Sequence, residues 1–312
     1  MKEHLGGFRI GHATAAEGNT GCTVFLCPEG AVGGIDVRGP APGSREAILL
    51  SPTKSVTTIN AVLLTGGSAF GLSAADGVVR YLAEREIGHP TPIRNVPIVA
   101  AAVVYDLFLG QESGPPGSEM GYAACLAAES QRVIQGNVGA GAGVTVGKWS
   151  GFQGIMKGGF GLAEATEGDL QVGAAAVTNC VGDVVNANGS VLAGAHDEHG
   201  RWKVEDDPWR RFPEQPPTIP GTNTTLVVVG TNAVLDKMQA NRLAERAHDG
   251  IAIAVRPAHT THDGDTAYAL ATNRIVAEFD LVANIAVEMV AEAIRNSVRK
   301  ASTVGPFAGL QG

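Results

Sequence analysis

Apolar residues change their spacing several times along this chain, and each change marks an element. Cys22–Leu26 and Ala31–Val37 read as short strands on either side of a Pro-Glu-Gly turn, and a Gly- and Pro-rich loop follows through Ser44. Ala61–Leu64 has the uniform apolar character of a buried strand. Gly66, Gly67 and Ser68 form a turn after it, and Ala69–Leu82 takes up helical spacing. Such a helix start brings backbone N–H groups close to whatever lies beside it. Ile98–Leu107 predicts another strand, with Tyr105 and Asp106 near its end, and Met120–Ile134 predicts a helix.

From Gly159 to His196 the pattern is that of an antiparallel meander on one sheet face. Its strands are Phe160–Ala165, Leu170–Val177, Val181–Val185 and Val191–Ala195, with T-E-G-D and N-A-N-G turns. His199–Thr222 is polar and Pro-rich, an exposed connector that would tolerate a cut near its end. Leu226–Val229 is then a strand, Leu235–Val255 a helix stopped by Pro257, and Tyr268–Thr272 a strand. In Asp280–Arg299, Leu281, Ile285, Met289, Ala293 and Ile294 recur on one helical face. Helices outside and strands inside imply a layered α+β sandwich, a single domain over residues 1–312.

The composition narrows the partners. The 312 residues carry a net charge of −8, which argues against nucleic acid or an anionic membrane surface. Glycine, at 42 residues, shows no triplet period and so marks tight turns and close approaches. The four cysteines, Cys22, Cys27, Cys125 and Cys180, form no C-x-x-C pair, so reduced and buried thiols are expected. The N-terminal stretch lacks the apolar core of a secretion signal, and the expected location is the cytoplasm.

The candidate chemistry centres on Asn223 and Thr224 in PPTIPGTNTTLVVVGTN, where the polar connector gives way to a β-branched strand. Cutting the bond between them would give Thr224 a hydroxyl and a free α-amine on one residue, a nucleophile with its own base of pKa about 7.7 to 8. The precursor nitrogen is an amide without basicity, so a side chain must start the cut. Asp263 and Asp265, flanking Gly264 in PAHTTHDGDT, are the candidates, because paired carboxylates raise one pKa and leave one member able to accept a proton. A solvated D-G-D turn is the simpler alternative. His259 and His262 add a metal alternative that lacks a distant third ligand. GNVGAGAGVTVGK suggests a phosphate loop but fails its spacing, since Ala142 and Trp149 stand at required positions; its glycines serve packing or an oxyanion pocket instead.

Taken together and in order, GGIDVRGPAPGSRE, LLTGGSAFGL, AVVYDL, GVTVGK, AAVTNCVGDVV, GTNTTLVVVGTN and RPAHTTHDGDTAYALATN resemble the L-aminopeptidase/D-esterase family, which includes β-aminopeptidases and nylon-oligomer hydrolases. The resemblance implies a four-layer αββα sandwich related to N-terminal-nucleophile hydrolases, and self-cleavage into an α chain, 1–223, and a β chain, 224–312. It also implies amide or ester hydrolysis through an acyl-enzyme, a homotetramer of cleaved units, and no metal or organic cofactor. Thr224 matches the family nucleophile and Asn179 its oxyanion amide, a donor able to lower a barrier by roughly 3 to 4 kcal/mol. Tyr105 matches an active-site tyrosine; Lys148 would lower the pKa of the new amine. Asp263 and Asp265 match the acidic pair of the nylon-hydrolase branch. Most aminopeptidase members carry Ser where Thr224 stands, which leaves the substrate class open. The competing readings are an acyltransferase of the ornithine-acetyltransferase type, which favours a Gly-Thr context absent here, and an unprocessed binding protein.

Overall fold

A computed structural model describes residues 3–16, 19–109, 114–129, 132–213 and 222–311, with the bond between Asn223 and Thr224 unbroken. In chain order the first part contains β1 (Arg9–Thr14), β2 (Gly21–Val37), β3 (Ser44–Arg45), β4 (Thr58–Thr65), α1 (Ala74–Ala83), β5 (Val99–Val103) and α2 (Ser118–Ala127). The second contains β6 (Thr145–Val146), β7 (Met156–Lys157), β8 (Phe160–Glu167), β9 (Leu170–Asn179), β10 (Asp183–Val185) and β11 (Val191–Ala193). The third contains β12 (Thr224–Ala233), α3 (Lys237–Ala254), β13 (Val255–Arg256), β14 (Thr266–Ile275) and α4 (Phe279–Arg299).

The long strand β2 runs through the middle of one nine-stranded sheet, whose two halves form the two strand layers. Its first half pairs with β1, its second half with β14, and β4 pairs with it on both sides of a register slip between Leu26 and Ala31. The Pro-Glu-Gly segment expected to be a turn between two strands is therefore an irregularity within one strand, of the kind at which a strand bends. Side-chain alternation then sorts the interior into three cores. Leu226, Val228, Tyr268, Leu270, Ala175 and Val177 meet Phe25, Val62 and Leu64 between the sheets. Val227, Val229, Ala267 and Ala269 face the other way, against α3 and α4 residues such as Leu243, Ile251, Val290 and Ile294. Ala61, Leu63 and Val24 face Val78, Leu82 and Cys125 of α1 and α2. The expected αββα order is thus present, helix pair on sheet on sheet on helix pair.

Several expected boundaries move. The meander divides: β8 and β9 lie in the large sheet beside β12, whereas β10 and β11 pair with β13 in a separate three-stranded sheet, because the chain leaves the large sheet after Asn179. Strand β5 stops at Val103, short of Tyr105, and the first helical turn from Ser68 is 3₁₀ before α1 begins. Helix α2 begins at Ser118 and ends at Ala127, shorter than expected; part of the expected range lies outside the described residues. On α4, Ala293 and Ile294 of the expected face are buried, Ile285 and Met289 pack half-buried against the core and Leu281 is exposed; with Ala283, Ala286, Val287, Val290 and Val298 also buried, the stripe is centred about one position further on. Helix α3 keeps its expected limits, fixed by a reciprocal cap between Asp236 and Gln239. The connector is not merely exposed: Arg210 reaches the buried Asp183 at 2.8 Å, and Phe212 packs with Trp149, Val181 and Ala195. Its later part, 214–221, lies outside the described residues.

Candidate active site

Strand β12 is buried at all ten positions, and Thr224 is its first residue. Pairing sets what surrounds it. Thr224 lies opposite Asn179, the last residue of β9, in the antiparallel register, and Asn223 forms a parallel bridge with Asp263 just before β14. Thr224 Oγ1 lies 2.5 Å from the carbonyl oxygen of Asn223, and the Gly264 N–H donates to that same oxygen at 2.8 Å. A Cβ at Gly264 would stand 2.8 Å from Thr224 Oγ1 and 2.7 Å from the carbonyl oxygen of Ala41, so only glycine allows this approach. The hydroxyl and a fixed backbone donor thus converge on the carbonyl of the bond expected to be cut.

The two carboxylates have separate duties. Asp265 Oδ1 accepts from the Thr225 N–H at 2.6 Å, and its Oδ2 accepts from the backbone N–H of His259 and lies 2.7 Å from His259 Nδ1. Asp263 Oδ2 accepts from the backbone and hydroxyl of Thr260, while its Oδ1 is buried without a hydrogen-bond partner. Burial first, and then the neighbouring charge of Asp265, push Asp263 up to about 6. The D-G-D segment is therefore buried, not a solvated turn. The suggested histidine pair is also engaged elsewhere, since His262 stacks on Phe212 while His259 bonds to Asp265. Among the described residues no His, Cys, Asp and Glu group is arranged to hold a metal.

Lys148 is almost fully buried and donates to both the backbone oxygen and Oδ1 of Asn179, at 3.0 and 2.9 Å. Burial lowers it to about 8. Its direct partner is thus Asn179 rather than the nitrogen of Thr224. The Thr145 N–H also donates to Asn179 Oδ1, so the amide orientation is fixed, and Asn179 Nδ2 donates to the carbonyl oxygens of Tyr105 and Thr222. Both N–H groups expected to meet an oxyanion are thus spent on backbone, one of them on the segment preceding the bond expected to be cut. Tyr105 enters this network through its carbonyl. Its ring lies edge-on to Phe108, which contacts Phe152, and all three line a cavity of about 1190 Å³. Thr145 lines the same cavity, which therefore ends one hydrogen bond from Asn179. Thr224 is not part of its lining.

The glycine run 136–148 serves packing. A Cβ on Gly141 would meet the Phe160 nitrogen at 2.2 Å, and one on Gly143 the Asn19 carbonyl oxygen at 2.1 Å. The Gly67 N–H, expected to approach something at the turn, meets Asp106 Oδ1 at 2.7 Å. The sequence reading missed three participants. These are Gly264 as a backbone donor, His259 as the partner of Asp265, and Lys157, a second buried lysine that donates to the Ala142 carbonyl and pairs across a hairpin with Thr145. Only the glycine carried a sequence signal, its place between two carboxylates.

The family and the curated relatives define a hydrolase acting on amide bonds. The chain belongs to peptidase family S58, which it matches over residues 4–311. It is 40% identical over 291 residues to an uncharacterised aminopeptidase of Mycobacterium leprae, covering 88% of this chain and 78% of that one. It is 33% identical over 272 residues to a 6-aminohexanoate-oligomer endohydrolase of Paenarthrobacter ureafaciens, covering 86% and 74%. Its fold is that of the L-aminopeptidase D-Ala-esterase/amidase of Ochrobactrum anthropi, described as a variant of the Ntn hydrolase fold, with TM-score 0.72, 19% identity and coverage of 98% and 90%. A Burkholderia β-aminopeptidase is similar at TM-score 0.70 and 20% identity, covering 98% and 88%.

Proposed function

We propose that the chain cuts itself between Asn223 and Thr224 and then hydrolyses small peptides or oligo-amides through an acyl-enzyme on Thr224. The observation that carries this reading is the convergence of Thr224 Oγ1 and the Gly264 N–H on the Asn223 carbonyl. The hydroxyl oxygen adds to the carbonyl carbon and its proton passes to Asp263, whose Oδ1 is open. Gly264 holds the oxyanion. Collapse expels the Thr224 nitrogen, which takes up a proton, and leaves an ester between Asn223 and Thr224 Oγ1. Water hydrolyses that ester, giving the Asn223 carboxylate and the free amine of Thr224.

The amine then serves as base for attack on substrate. Departure of Thr222 releases one N–H of Asn179 to face the new oxyanion, with Lys148 fixing that amide from behind. Tyr105 and the aromatic cavity receive the substrate. The similarity to an oligomer endohydrolase and to aminopeptidases supports both oligo-amides and short peptides as substrates. The enzyme works in the cytoplasm as a homotetramer of cleaved units, supported by four free buried cysteines and by exposed apolar side chains such as Ile48, Phe70, Met238 and Val276 that association would cover. No helix among the described residues is long and apolar enough to cross a membrane. N-terminal sequencing of purified protein tests the central step: a second start at TTLVVV is expected, and Thr224→Ala should remain one full-length, inactive chain. An active enzyme that persists as a single unbroken polypeptide would overturn the reading.

A further inference from the structure

His259 stands outside the expected catalytic set, yet it is held in place more tightly than a loop residue needs to be. Its φ is +55°, a left-handed conformation that few residues besides glycine adopt and that His, Asn and Asp take up more readily than others. Its backbone N–H and its Nδ1 both meet the same oxygen of Asp265, at 3.2 and 2.7 Å. The other oxygen of Asp265 takes the Thr225 N–H at 2.6 Å, one residue beyond the nucleophile. From α3, His248 lies edge-on to the His259 ring at 4.8 Å, and His248 Nε2 is 3.1 Å from the carbonyl oxygen of Asp36.

We propose that His259 is a positioning residue for Thr224: it orients the Asp265 carboxylate, which in turn fixes the start of β12 and so the aim of the nucleophile at its carbonyl. The inference rests on the self-processing reading. A carboxylate with one oxygen on the strand and the other on an imidazole cannot rotate without losing both bonds. The charged and titratable groups around the imidazole are Asp265 on its own loop, His248 from α3 with Asp36 of β2 behind it, and Arg38 just past the end of β2. Burial acts to lower the pKa of His259, but the hydrogen bond and charge of Asp265 outweigh it and raise it above the ordinary value. The grip is strongest while the ring is protonated and weakens as pH rises through that raised value. On the acid side, processing requires the Asp263 carboxylate and falls below about 6.

The test follows processing of freshly synthesised full-length chain by denaturing electrophoresis from pH 5 to 9. Glycine suits a φ of +55°, so His259→Gly removes the imidazole without opposing the backbone and leaves a partly open space for added imidazole. His259→Gly should process at least about tenfold more slowly, and imidazole in the medium should restore several-fold. His259→Asn, which keeps a donor without a titrating ring, should retain most of the rate but lose the alkaline fall set by His259. Parental rates in His259→Gly, or a uniform slowing in both variants with unchanged pH profile and no imidazole response, would overturn the proposal. If His259→Gly fails to fold, the profile of His259→Asn decides. A parent chain that never cuts would refute the self-processing reading instead, so the two failures are distinguishable.

Discussion

At the residue scale the site turns on two features that side-chain chemistry alone would not locate. Asp263 is buried with one oxygen unpartnered, and burial and the charge of Asp265 raise it to about 6. A carboxyl raised in the folded state contributes stability that is fully present below its unfolded value, near 3.9, and lost as pH rises through the folded value. Thermal or denaturant unfolding of a Thr224→Ala precursor should therefore show a loss between pH 4 and 6, on the order of 1–3 kcal/mol, that adding Asp263→Asn abolishes. The same Asp263→Asn change in the otherwise native chain should slow processing by about a hundredfold or more, as removal of a general base does. Gly264 supplies the second feature. Gly264→Ala forces either Thr224 Oγ1 or the Ala41 carbonyl aside, and processing followed by electrophoresis should fall by about a hundredfold while the fold persists.

At the element scale, strand register delivers the chemistry. β12 begins at Thr224 opposite Asn179, and the bridge from Asn223 to Asp263 brings the acidic loop to the same point. Burial on both faces explains why the β12, β14 and β9 strands were legible in the sequence: every position of β12 is buried, so it reads as a continuous apolar run. Side-chain contacts set by loop conformation were not legible. The pairing of Lys148 with Asn179 and of His259 with Asp265 depends on where loops fold back, and α4 was misread by one position because Ala283, Ala286 and Ala291 carry much of its packing with little hydrophobic signal. The connector was misread for a related reason, since its polar sequence hides an anchor. Asp183 is 1% exposed and bonds to Trp149, the Ala195 N–H and Arg210. Arg210→Ala leaves that carboxylate without its cation, and denaturant melts should show a loss of about 3 kcal/mol.

At the scale of the whole molecule, the proposed cut after Asn223 would divide the sheet without dividing the fold. The smaller piece supplies β12 and β14, which lie side by side and in parallel, with β9 of the larger piece on one flank and β2 on the other. It also supplies α3 and α4, whose side chains cover the outer face of that sheet. Separation would break both of these interfaces and the β10–β13 pairing, and expose the outer core together with the layer between the sheets, so the pieces should behave as one folding unit. After processing, the two fragments should therefore co-migrate in native size-exclusion chromatography and part only in denaturant, with loss of secondary structure and dissociation sharing one midpoint. Fragments that separate at lower denaturant than the loss of helix would contradict this, because α3 and α4 bury their apolar faces against strands that both pieces supply.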